Sequence, residues 1–273
     1  MTEVGLQNIR IVRVANMALK GNKMNLDNKI VLVTGGSRGA GAAIAKSCAK
    51  YGAKVIIHYN SNKAQADQVA ADIGDNCIGV IAEDLSQPSA GTKLWANAQK
   101  IAGGKLNALV NNAGIDVVTD PYGDEDHWQD GWAKILAVNV QAPADLSRAA
   151  LVDYKAQGGG RFVNMCSRAS HRGDSIDHQA YAASKGALLS MTKTIARGAA
   201  ADGVVAYALA PGWINTEMAP TDPEVLRHAK AEIPYGDFAQ VDEIGSMVAF
   251  LLSDLCPSAT GATFDINGAS HVR

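Results

Sequence analysis

The sequence lacks a marked excess of charge of either sign, and it lacks any apolar run long enough to cross a membrane. Its 25 Lys and Arg residues are balanced by 27 Asp and Glu residues, which gives a formal net charge of −2. A nucleic-acid-binding protein usually carries a basic face, so we expect no nucleic-acid partner. The longest apolar runs, at 54–58 and 248–252, are far shorter than the roughly 20 residues of a membrane-spanning helix. We therefore expect no membrane association.

Cysteine is also scarce, and the four cysteines form no Cys-x-x-Cys pair. That spacing argues against a zinc site or a thioredoxin-type redox pair, so we expect no metal. A chain of 273 residues that is 47% hydrophobic can bury a core without disulfide bonds. These observations predict a globular, cytoplasmic protein with reduced thiols.

Residues 1–25 differ in character from the rest of the chain. Apolar residues such as Ile9 and Ile11 are scattered there among Arg10 and Arg13. Transit peptides share this basic, amphipathic pattern, but Glu3 and the lack of serine are atypical of them. We predict an N-terminal extension that is flexible or packs on a neighbouring subunit as an arm, followed by one domain over 26–273.

Short apolar runs alternate with helix-length segments from residue 30 onward. This alternation predicts parallel strands joined by helical crossovers. We predict an α/β fold with a single doubly wound parallel sheet of about seven strands and helices on both faces. The predicted strands are 30–34, 54–58, 77–81, 108–111, 161–165, 204–209 and 263–266. The predicted helices include 40–51, 64–73, 90–101, 131–154, 181–201 and 241–252.

A glycine-rich turn follows the first predicted strand and opens the first helix. Gly35, Gly39 and Gly41 are spaced G-x-x-x-G-x-G, one residue longer than the common dinucleotide-binding pattern. Glycine lets the backbone approach a pyrophosphate, and the helix N-terminus favours its negative charge. Tight turns also use glycine for steric reasons alone. No Gly-Lys-Ser/Thr sequence follows, which argues against a P-loop NTPase.

The second predicted strand ends without a carboxylate. In folds of this kind an acidic residue at that position binds the unphosphorylated ribose of NAD. Here the strand runs into Tyr59, Asn60 and Ser61. An acid would repel a 2′-phosphate, whereas Arg38, Asn60, Ser61 and Lys63 can bind one through charge and hydrogen bonds. We therefore predict NADP in preference to NAD, the alternative being an ordinary polar loop.

The third and fourth predicted strands also run into polar residues. Asp84, which Leu85 follows, can accept a hydrogen bond from an adenine amino group. The run Asn112-Ala113-Gly114 lets the backbone pass close under a cofactor, while amide side chains link neighbouring strands. Turn chemistry alone would also explain both features.

A serine, a tyrosine and a lysine follow the fifth predicted strand. Ser167 comes at the end of the strand, and Tyr181 and Lys185 lie one helical turn apart. A nearby ammonium lowers a phenol pKa, which makes tyrosine a usable general acid or base near neutral pH. Tyr59 and Lys63 repeat the spacing, but only Tyr181 follows a strand that ends in serine. We interpret the spacing of Tyr59 and Lys63 as a coincidence.

These motifs, taken in order, resemble those of the short-chain dehydrogenase/reductase family over 26–272. The resemblance implies a Rossmann-type fold, a homotetramer, and NAD(P)-dependent oxidation or reduction of a small carbonyl or alcohol substrate. It also identifies 26–273 as a dinucleotide-binding catalytic domain. The residues that carry it are the glycine turn at 34–41, Asp84, the run 111–114, Asn139, Ser167, Tyr181, Lys185, Pro211 and Gly212.

The resemblance further implies a role for each catalytic residue. Tyr181 would give its proton to the carbonyl oxygen as hydride arrives, and Ser167 would hold that oxygen by a hydrogen bond. Lys185 would bind the nicotinamide ribose and lower the pKa of Tyr181. Asn139 would position a water molecule that relays protons to Lys185.

By the same resemblance, the chain turns beside the nicotinamide at Pro211 and Gly212, and Thr216 lies near the carboxamide. The helices at 131–154 and 181–201 would form one subunit interface, and the carboxyl-terminal strand with the tail at 268–273 would form another. The complete predicted cofactor-binding set is Gly35, Ser37, Arg38, Gly39, Gly41, Tyr59, Asn60, Ser61, Asp84, Leu85, Asn112, Ala113, Gly114, Tyr181, Lys185, Pro211, Gly212 and Thr216.

Three other functions would share some of these sequence features. A ketoacyl-carrier-protein reductase is the nearest alternative, and it should show a basic patch for an acidic carrier. A non-catalytic NADP-sensing regulator would keep the glycine turn and typically lose the tyrosine or the lysine, whereas both are present. A methyltransferase with a glycine-rich turn would lack Tyr181, Lys185 and Asn139.

The loop after Ser167 and the segment 213–238 differ from the family pattern or do not identify a substrate. Ser167 and Tyr181 are 14 residues apart, one more than the commonest family spacing, and the loop between them is rich in charged residues. The charged residues of that loop indicate either that it contacts a polar or anionic substrate or that it is a solvated surface loop. Asp237 stands where many relatives have a basic residue, which puts the family's interface contacts in doubt. The segment 213–238 resembles the family's mobile substrate lid, whose composition does not identify a substrate.

Overall fold

The computed structural model describes residues 24–217, 219 and 222–273. Nearly all of the predicted N-terminal extension lies outside the described residues. Whether residues 1–25 form a flexible extension or an interface arm therefore stays a prediction.

One parallel sheet forms the centre of the described chain. Its strands are β1 (Ile30–Val33), β2 (Lys54–Tyr59), β3 (Cys77–Ala82), β4 (Ala108–Asn111), β5 (Gly160–Met165), β6 (Val204–Pro211) and β7 (Thr263–Ile266). Their order in the sheet is β3-β2-β1-β4-β5-β6-β7, and every neighbouring pair is parallel. The strand order reverses between β1 and β4. The predicted doubly wound sheet is confirmed.

The helices cover both faces of the sheet. They are α1 (Gly39–Lys50), α2 (Lys63–Ile73), α3 (Ala90–Ile101), α4 (Glu125–Leu136), α5 (Ala142–Gln157), α6 (Ala169–Arg172), α7 (Gln179–Ala199), α8 (Pro223–Ala231) and α9 (Val241–Leu252). Buried side chains of α1, α2 and α9 pack on one face of the sheet. Buried side chains of α3, α5 and α7 pack on the other.

Alternate residues of the central strands enter the two cores. In β1, Val31 and Val33 pack with the first cluster and Leu32 packs with the second. All three side chains are fully buried. Burial on both faces explains why the strands read as continuous apolar runs, and it fixes where each strand ends.

The helix predicted at 131–154 begins earlier and is interrupted. The carboxylate of Asp124 caps α4 by accepting a hydrogen bond from the backbone N–H of His127 at 2.9 Å. A π-helical turn at Ala137–Gln141 then separates α4 from α5. Such turns often occur at functional sites, and this one contains Asn139.

The predicted lid segment contains a helix that the apolar pattern did not reveal. Asp222 caps α8 by accepting hydrogen bonds from the backbone N–H groups of Glu224 and Val225. Pro223 occupies the first helical turn, where its missing N–H costs nothing. These two residues gave the signal for a helix start at 222.

No helix of the described residues has both the length and the apolar character needed to span a bilayer. The same part of the chain holds no group of three or more side chains that could bind a metal ion. All four cysteines are free thiols.

Candidate active site

A cavity of about 370 Å³ opens at the carboxyl ends of β4, β5 and β6, beside the point where the strand order reverses. Open α/β sheets bind their ligands at such a position. Ser167, Tyr181 and Lys185, the residues predicted to do chemistry, line this cavity together. The predicted cofactor-binding residues that also line it are Asn112, Gly114, Pro211, Gly212 and Thr216.

The glycine turn packs tightly against the end of β4. Gly35 and Gly39 have φ values of +63° and +52°, in the left-handed region that favours glycine. A methyl group at Gly41 would overlap the carbonyl oxygen of Gly35 and lie 2.6 Å from the Asn112 amide nitrogen. That Asn112 nitrogen donates hydrogen bonds to the carbonyl oxygens of Thr34 and Gly35, at 2.8 and 3.1 Å. The predicted link between neighbouring strands is present.

The N-terminus of α1 has the properties of an anion site. Within the described chain, no side chain caps this helix, and its first turn carries no acidic residue. Backbone N–H groups at a helix start are therefore available, and the helix dipole favours negative charge there. The turn from Gly35 to Gly41 leads directly into this helix, so it can hold a pyrophosphate.

His58 holds the glycine turn by a hydrogen bond to its first glycine. The sequence alone did not predict this role. Its Nδ1 atom accepts a hydrogen bond from the Gly35 backbone N–H at 3.0 Å. Its Nε2 atom lies 2.9 Å from the carbonyl oxygen of Glu83. Burial lowers the pKa of His58, and the neutral tautomer with its proton on Nε2 satisfies both contacts. A histidine in an otherwise apolar strand was the available signal.

Arg38 precedes α1 at the N-cap position of that helix. Its guanidinium is 3.5 Å from the carboxylate of Glu217, and both side chains are largely exposed. Lys63 pairs instead with Asp67 on α2 at 2.7 Å. Asn60 and Ser61 are exposed, whereas Tyr59 is buried at the end of β2.

Asp84 forms the hydrogen bonds of a local turn, which was the alternative to a contact with adenine. Its carboxylate accepts hydrogen bonds from the backbone and hydroxyl of Ser86, at 2.9 and 2.7 Å, and from Gln87 at 3.0 Å. These bonds lower the pKa of Asp84, and its side chain remains exposed. Leu85 is buried in the core beside it.

Asn139 is fully buried behind the cavity and holds two elements together. Its side-chain oxygen accepts a hydrogen bond from the Ile115 backbone N–H at 2.9 Å. Its side-chain nitrogen donates to the Ile115 carbonyl oxygen at 2.8 Å and to the Ser184 hydroxyl at 3.0 Å. Asn139 therefore fixes the chain after β4 against α7, whereas the expected role in a water relay stays a prediction.

Lys185 reaches from α7 under the end of β5. Its ammonium donates a hydrogen bond to the Met165 carbonyl oxygen at 2.8 Å, and it lies 5.7 Å from the centroid of the Tyr181 ring. Burial lowers the pKa of Lys185. A side chain at Gly114 would come within 3.1 Å of the Lys185 nitrogen, so glycine keeps the approach to this ammonium open.

The pKa of Tyr181 corrects one expectation from the sequence. Burial raises the pKa of the Tyr181 phenol to about 12, although a hydrogen bond with Ser167 acts in the opposite direction. The expected lowering of this pKa by Lys185 is therefore not found, because the loss of solvation is the largest influence on the phenol. The phenol holds its proton at neutral pH, which is the form that a general acid needs.

The family follows from a comparison with known proteins. A family model described as enoyl-(acyl carrier protein) reductase matches residues 35–271, which is most of the chain. Among curated proteins, 3-oxoacyl-[acyl-carrier-protein] reductase from Vibrio cholerae is 34% identical over 252 residues, covering 91% of this chain and all of that protein. The chain belongs to the short-chain dehydrogenase/reductase family.

Other members of this family have a similar sequence identity to this chain. A 3α-hydroxysteroid dehydrogenase from Mediterraneibacter gnavus is 33% identical over 91% of this chain and 99% of that protein. A crystal structure of a 3-oxoacyl-(acyl-carrier-protein) reductase from Agrobacterium tumefaciens with NADP bound aligns with a TM-score of 0.83 at 31% identity. That alignment covers 94% of this chain and 99% of the other. The predicted family, fold class and oxidoreductase activity are confirmed.

The outer part of the cavity of this dehydrogenase/reductase carries charged and aromatic side chains. His178 Nδ1 lies 2.9 Å from a carboxylate oxygen of Asp116 at one side. That carboxylate raises the pKa of His178 in spite of partial burial. Trp213 also lines the cavity and stacks its ring on Phe238, and the Arg168 guanidinium lies 5.8 Å from the Trp213 ring centroid.

Proposed function

We propose that this short-chain dehydrogenase/reductase transfers a hydride between NADP and a small carbonyl or alcohol compound, with Tyr181 as general acid and base. The observation that carries the proposal is that Ser167, Tyr181 and Lys185 line one cavity beside the glycine turn. A serine hydroxyl, a protonated phenol and an ammonium group together supply what carbonyl reduction requires of a protein.

The residues present suit a dinucleotide. The uncapped start of α1 and the glycine turn would hold the pyrophosphate, and Lys185 would hold the nicotinamide ribose. Pro211, Gly212 and Thr216 line the same cavity where a nicotinamide would lie. When bound, the nicotinamide supplies or accepts the hydride.

The protein's own part in the reaction is to bind and protonate the substrate oxygen. Ser167 and Tyr181 line the same cavity, so their hydroxyls can hold one carbonyl oxygen between them. In reduction, Tyr181 gives its proton to that oxygen. Lys185 stabilises the resulting phenolate by charge, and Asn139 positions the segment that lies over the ammonium.

A two-step experiment tests the proposal. NADPH fluorescence on titration with protein should rise and shift as the cofactor binds. A panel of aldehydes and ketones should then be reduced with loss of NADPH absorbance. Binding of NADPH without turnover of any carbonyl compound would count against an enzyme and favour the NADP-sensing regulator.

The preference for NADP rests on the charge around the end of β2. No carboxylate follows β2 directly, and Arg38 is an exposed cation in the glycine turn. The Glu217 carboxylate pairs with Arg38 at 3.5 Å. A bound 2′-phosphate would take the place of this carboxylate beside the guanidinium. The relative from Agrobacterium tumefaciens was crystallised with NADP, which supports the same preference.

Arg38→Ala should weaken NADPH binding about tenfold and leave NADH binding nearly unchanged. A charge-assisted hydrogen bond contributes about 1.5–3 kcal/mol, and we take the lower end because the Arg38 side chain is 60% exposed. Fluorescence titration of both nucleotides measures the effect. Lys46→Ala is the matched control, since it removes another exposed, ion-paired cation of α1. Equal losses for NADPH and NADH would contradict the preference.

The tetramer predicted from the family resemblance is retained as part of the proposal. Leu136 and Val152 lie exposed on α4 and α5, the helices expected at one subunit interface. Val272 is 77% exposed in the C-terminal tail, which is expected at another. A closed tetramer of two-fold symmetry would cover these apolar side chains.

Light scattering at micromolar concentration should give four times the chain mass of 28.5 kDa. Val152→Glu would place a charge in the proposed interface and should shift the mass towards smaller species. A monomer for the unmodified protein would refute the tetramer. The predicted cytoplasmic location stays a prediction.

A second candidate function is reduction of a 3-oxoacyl group on an acyl carrier protein. It is favoured by the curated relative from Vibrio cholerae, which carries that name. Turnover of a 3-oxoacyl-carrier-protein thioester at a much higher kcat/KM than any free ketone would establish this candidate.

A further inference from the structure

Arg168 is a buried cation that lines the cavity. It follows Ser167 directly in the chain and lines the same cavity as Tyr181 and Lys185. Its side chain is only 8% exposed. Its backbone is fixed as well, because its N–H donates to the Pro211 carbonyl oxygen at 2.9 Å. Arg168 therefore adds a positive charge to the cavity that holds the predicted catalytic residues.

The pairing of this guanidinium is weak for a buried charge. Among the described residues, its ion pair joins Nη2 to a carboxylate oxygen of Glu232 at 3.5 Å, and the Glu232 side chain is 60% exposed. Charge-assisted hydrogen bonds are normally about 2.7–2.9 Å long, and a guanidinium has five N–H donors. Its second contact is with the face of Trp213, at 5.8 Å. A buried cation with so little compensation is costly unless a ligand completes its pairing.

The other charged groups near Arg168 limit the kind of anion that would fit. Glu232 and Asp174 are the carboxylates near the guanidinium, and Arg172 is the neighbouring cation. Asp116, on the other side of the cavity, is occupied by His178 at 2.9 Å. Two nearby carboxylates would oppose a dianionic phosphate. A monoanionic carboxylate matches the single guanidinium, and its two oxygens fit the planar fork of donors.

We propose that Arg168 binds a carboxylate group of the substrate, so that the enzyme acts on a small oxo acid or the corresponding hydroxy acid. This inference rests on the proposed function, because it assigns the substrate class of the same site. Trp213 would provide an apolar wall beside the bound carboxylate. Glu232, at the end of lid helix α8, would exchange its long contact with Arg168 for solvent when the substrate binds.

A purely structural role for Arg168 makes a different prediction. In that case the contact with Glu232 serves only to fasten the lid helix over the cavity. Arg168→Gln and Glu232→Gln would then have the same consequence, and both would affect charged and neutral substrates alike. Substrate binding by Arg168 requires instead that the two variants differ, and that the effect depends on the charge of the substrate.

The test uses three acids with increasing separation between the carbonyl and the carboxylate, each paired with its neutral methyl ester. They are pyruvate, acetoacetate and levulinate. With NADPH, the wild type should reduce at least one acid with a kcat/KM about tenfold or more above that of its ester. Arg168→Gln should lower kcat/KM for that acid about 10- to 100-fold, chiefly through KM, and leave the ester nearly unchanged. Glu232→Gln should keep the preference for the acid.

A binding measurement keeps the result independent of turnover. Calorimetric titration of the NADP-loaded wild type with the same three acids should show binding of the preferred acid, which Arg168→Gln abolishes. Arg168→Lys should retain part of that binding, because it keeps the charge without the fork of donors. Circular dichroism and Tm values confirm that each variant is folded.

The inference is overturned if wild type neither binds nor reduces any of the acids, or if Arg168→Gln affects acid and ester equally. The proposed function fails separately, when NADPH is not oxidised with any carbonyl compound, esters and uncharged ketones included. Rapid reduction of the esters with no preference for the acids would refute the role of Arg168 and leave the proposed function intact.

Discussion

Tyr181→Phe is expected to lower kcat about 10²- to 10⁴-fold, the range that general acid catalysis typically contributes. The substitution keeps the ring and its packing but removes the phenol proton. Because the pKa of Tyr181 is raised to about 12 by burial, that proton is present throughout the neutral range. The Tm and the Kd for NADPH should change little. Steady-state kinetics, thermal unfolding and fluorescence titration provide the three measurements.

Tyr154→Phe is the matched control for this prediction. Tyr154 is a fully buried phenol whose pKa is also raised by burial, but it packs against Trp95 and Phe162 away from the cavity. Its replacement should leave kcat nearly unchanged. Near wild-type turnover by Tyr181→Phe would remove Tyr181 from the proposed mechanism.

Gly41→Ala is expected to abolish measurable NADPH binding and to lower the free energy of unfolding by about 1–3 kcal/mol. The added methyl group would overlap the carbonyl oxygen of Gly35 and lie 2.6 Å from the Asn112 side chain. Neither neighbour can move easily, because Asn112 ties the turn to β4 and His58 holds the Gly35 N–H. The turn must shift, and with it the start of α1.

Gly198→Ala separates this steric effect from the general effect of replacing a helical glycine. Gly198 lies exposed on α7, and a methyl group there meets no atom within 4 Å. Alanine at this position should be neutral or stabilise the helix by up to about 1 kcal/mol. If Gly41→Ala bound NADPH as tightly as Gly198→Ala, the glycine turn would not be the pyrophosphate site. Denaturant unfolding and NADPH fluorescence measure both variants.

The strands were predictable because they are buried on both faces. A short, mostly apolar segment such as 108–111 is typical of a strand that is buried on both faces, and β4 covers those same residues. The predicted chemistry at the strand ends follows from the same logic, since parallel strands bring their carboxyl ends to one edge. Ser167, which follows β5, and Pro211, which ends β6, line one cavity for this reason.

Properties that depend on packing were not accessible from the sequence. The direction of the Tyr181 pKa shift depends on how completely the phenol leaves water, which no spacing reveals. The roles of His58 and Asn139 likewise depend on the backbone groups that the fold brings to them. Arg168 belongs to a loop that is polar in sequence, yet its side chain is buried beside Trp213.

Hydride transfer between the nicotinamide and a carbonyl carbon is the central claim, and isotope labelling tests it most directly. The wild type is incubated with a carbonyl substrate from the panel and NADPH that carries deuterium at the transferred position of the nicotinamide ring. We predict an alcohol with one deuterium on the former carbonyl carbon, and an alcohol yield reduced about 10²- to 10⁴-fold with Tyr181→Phe. Bound NADPH that is never oxidised, or an alcohol without deuterium on that carbon, would contradict the account.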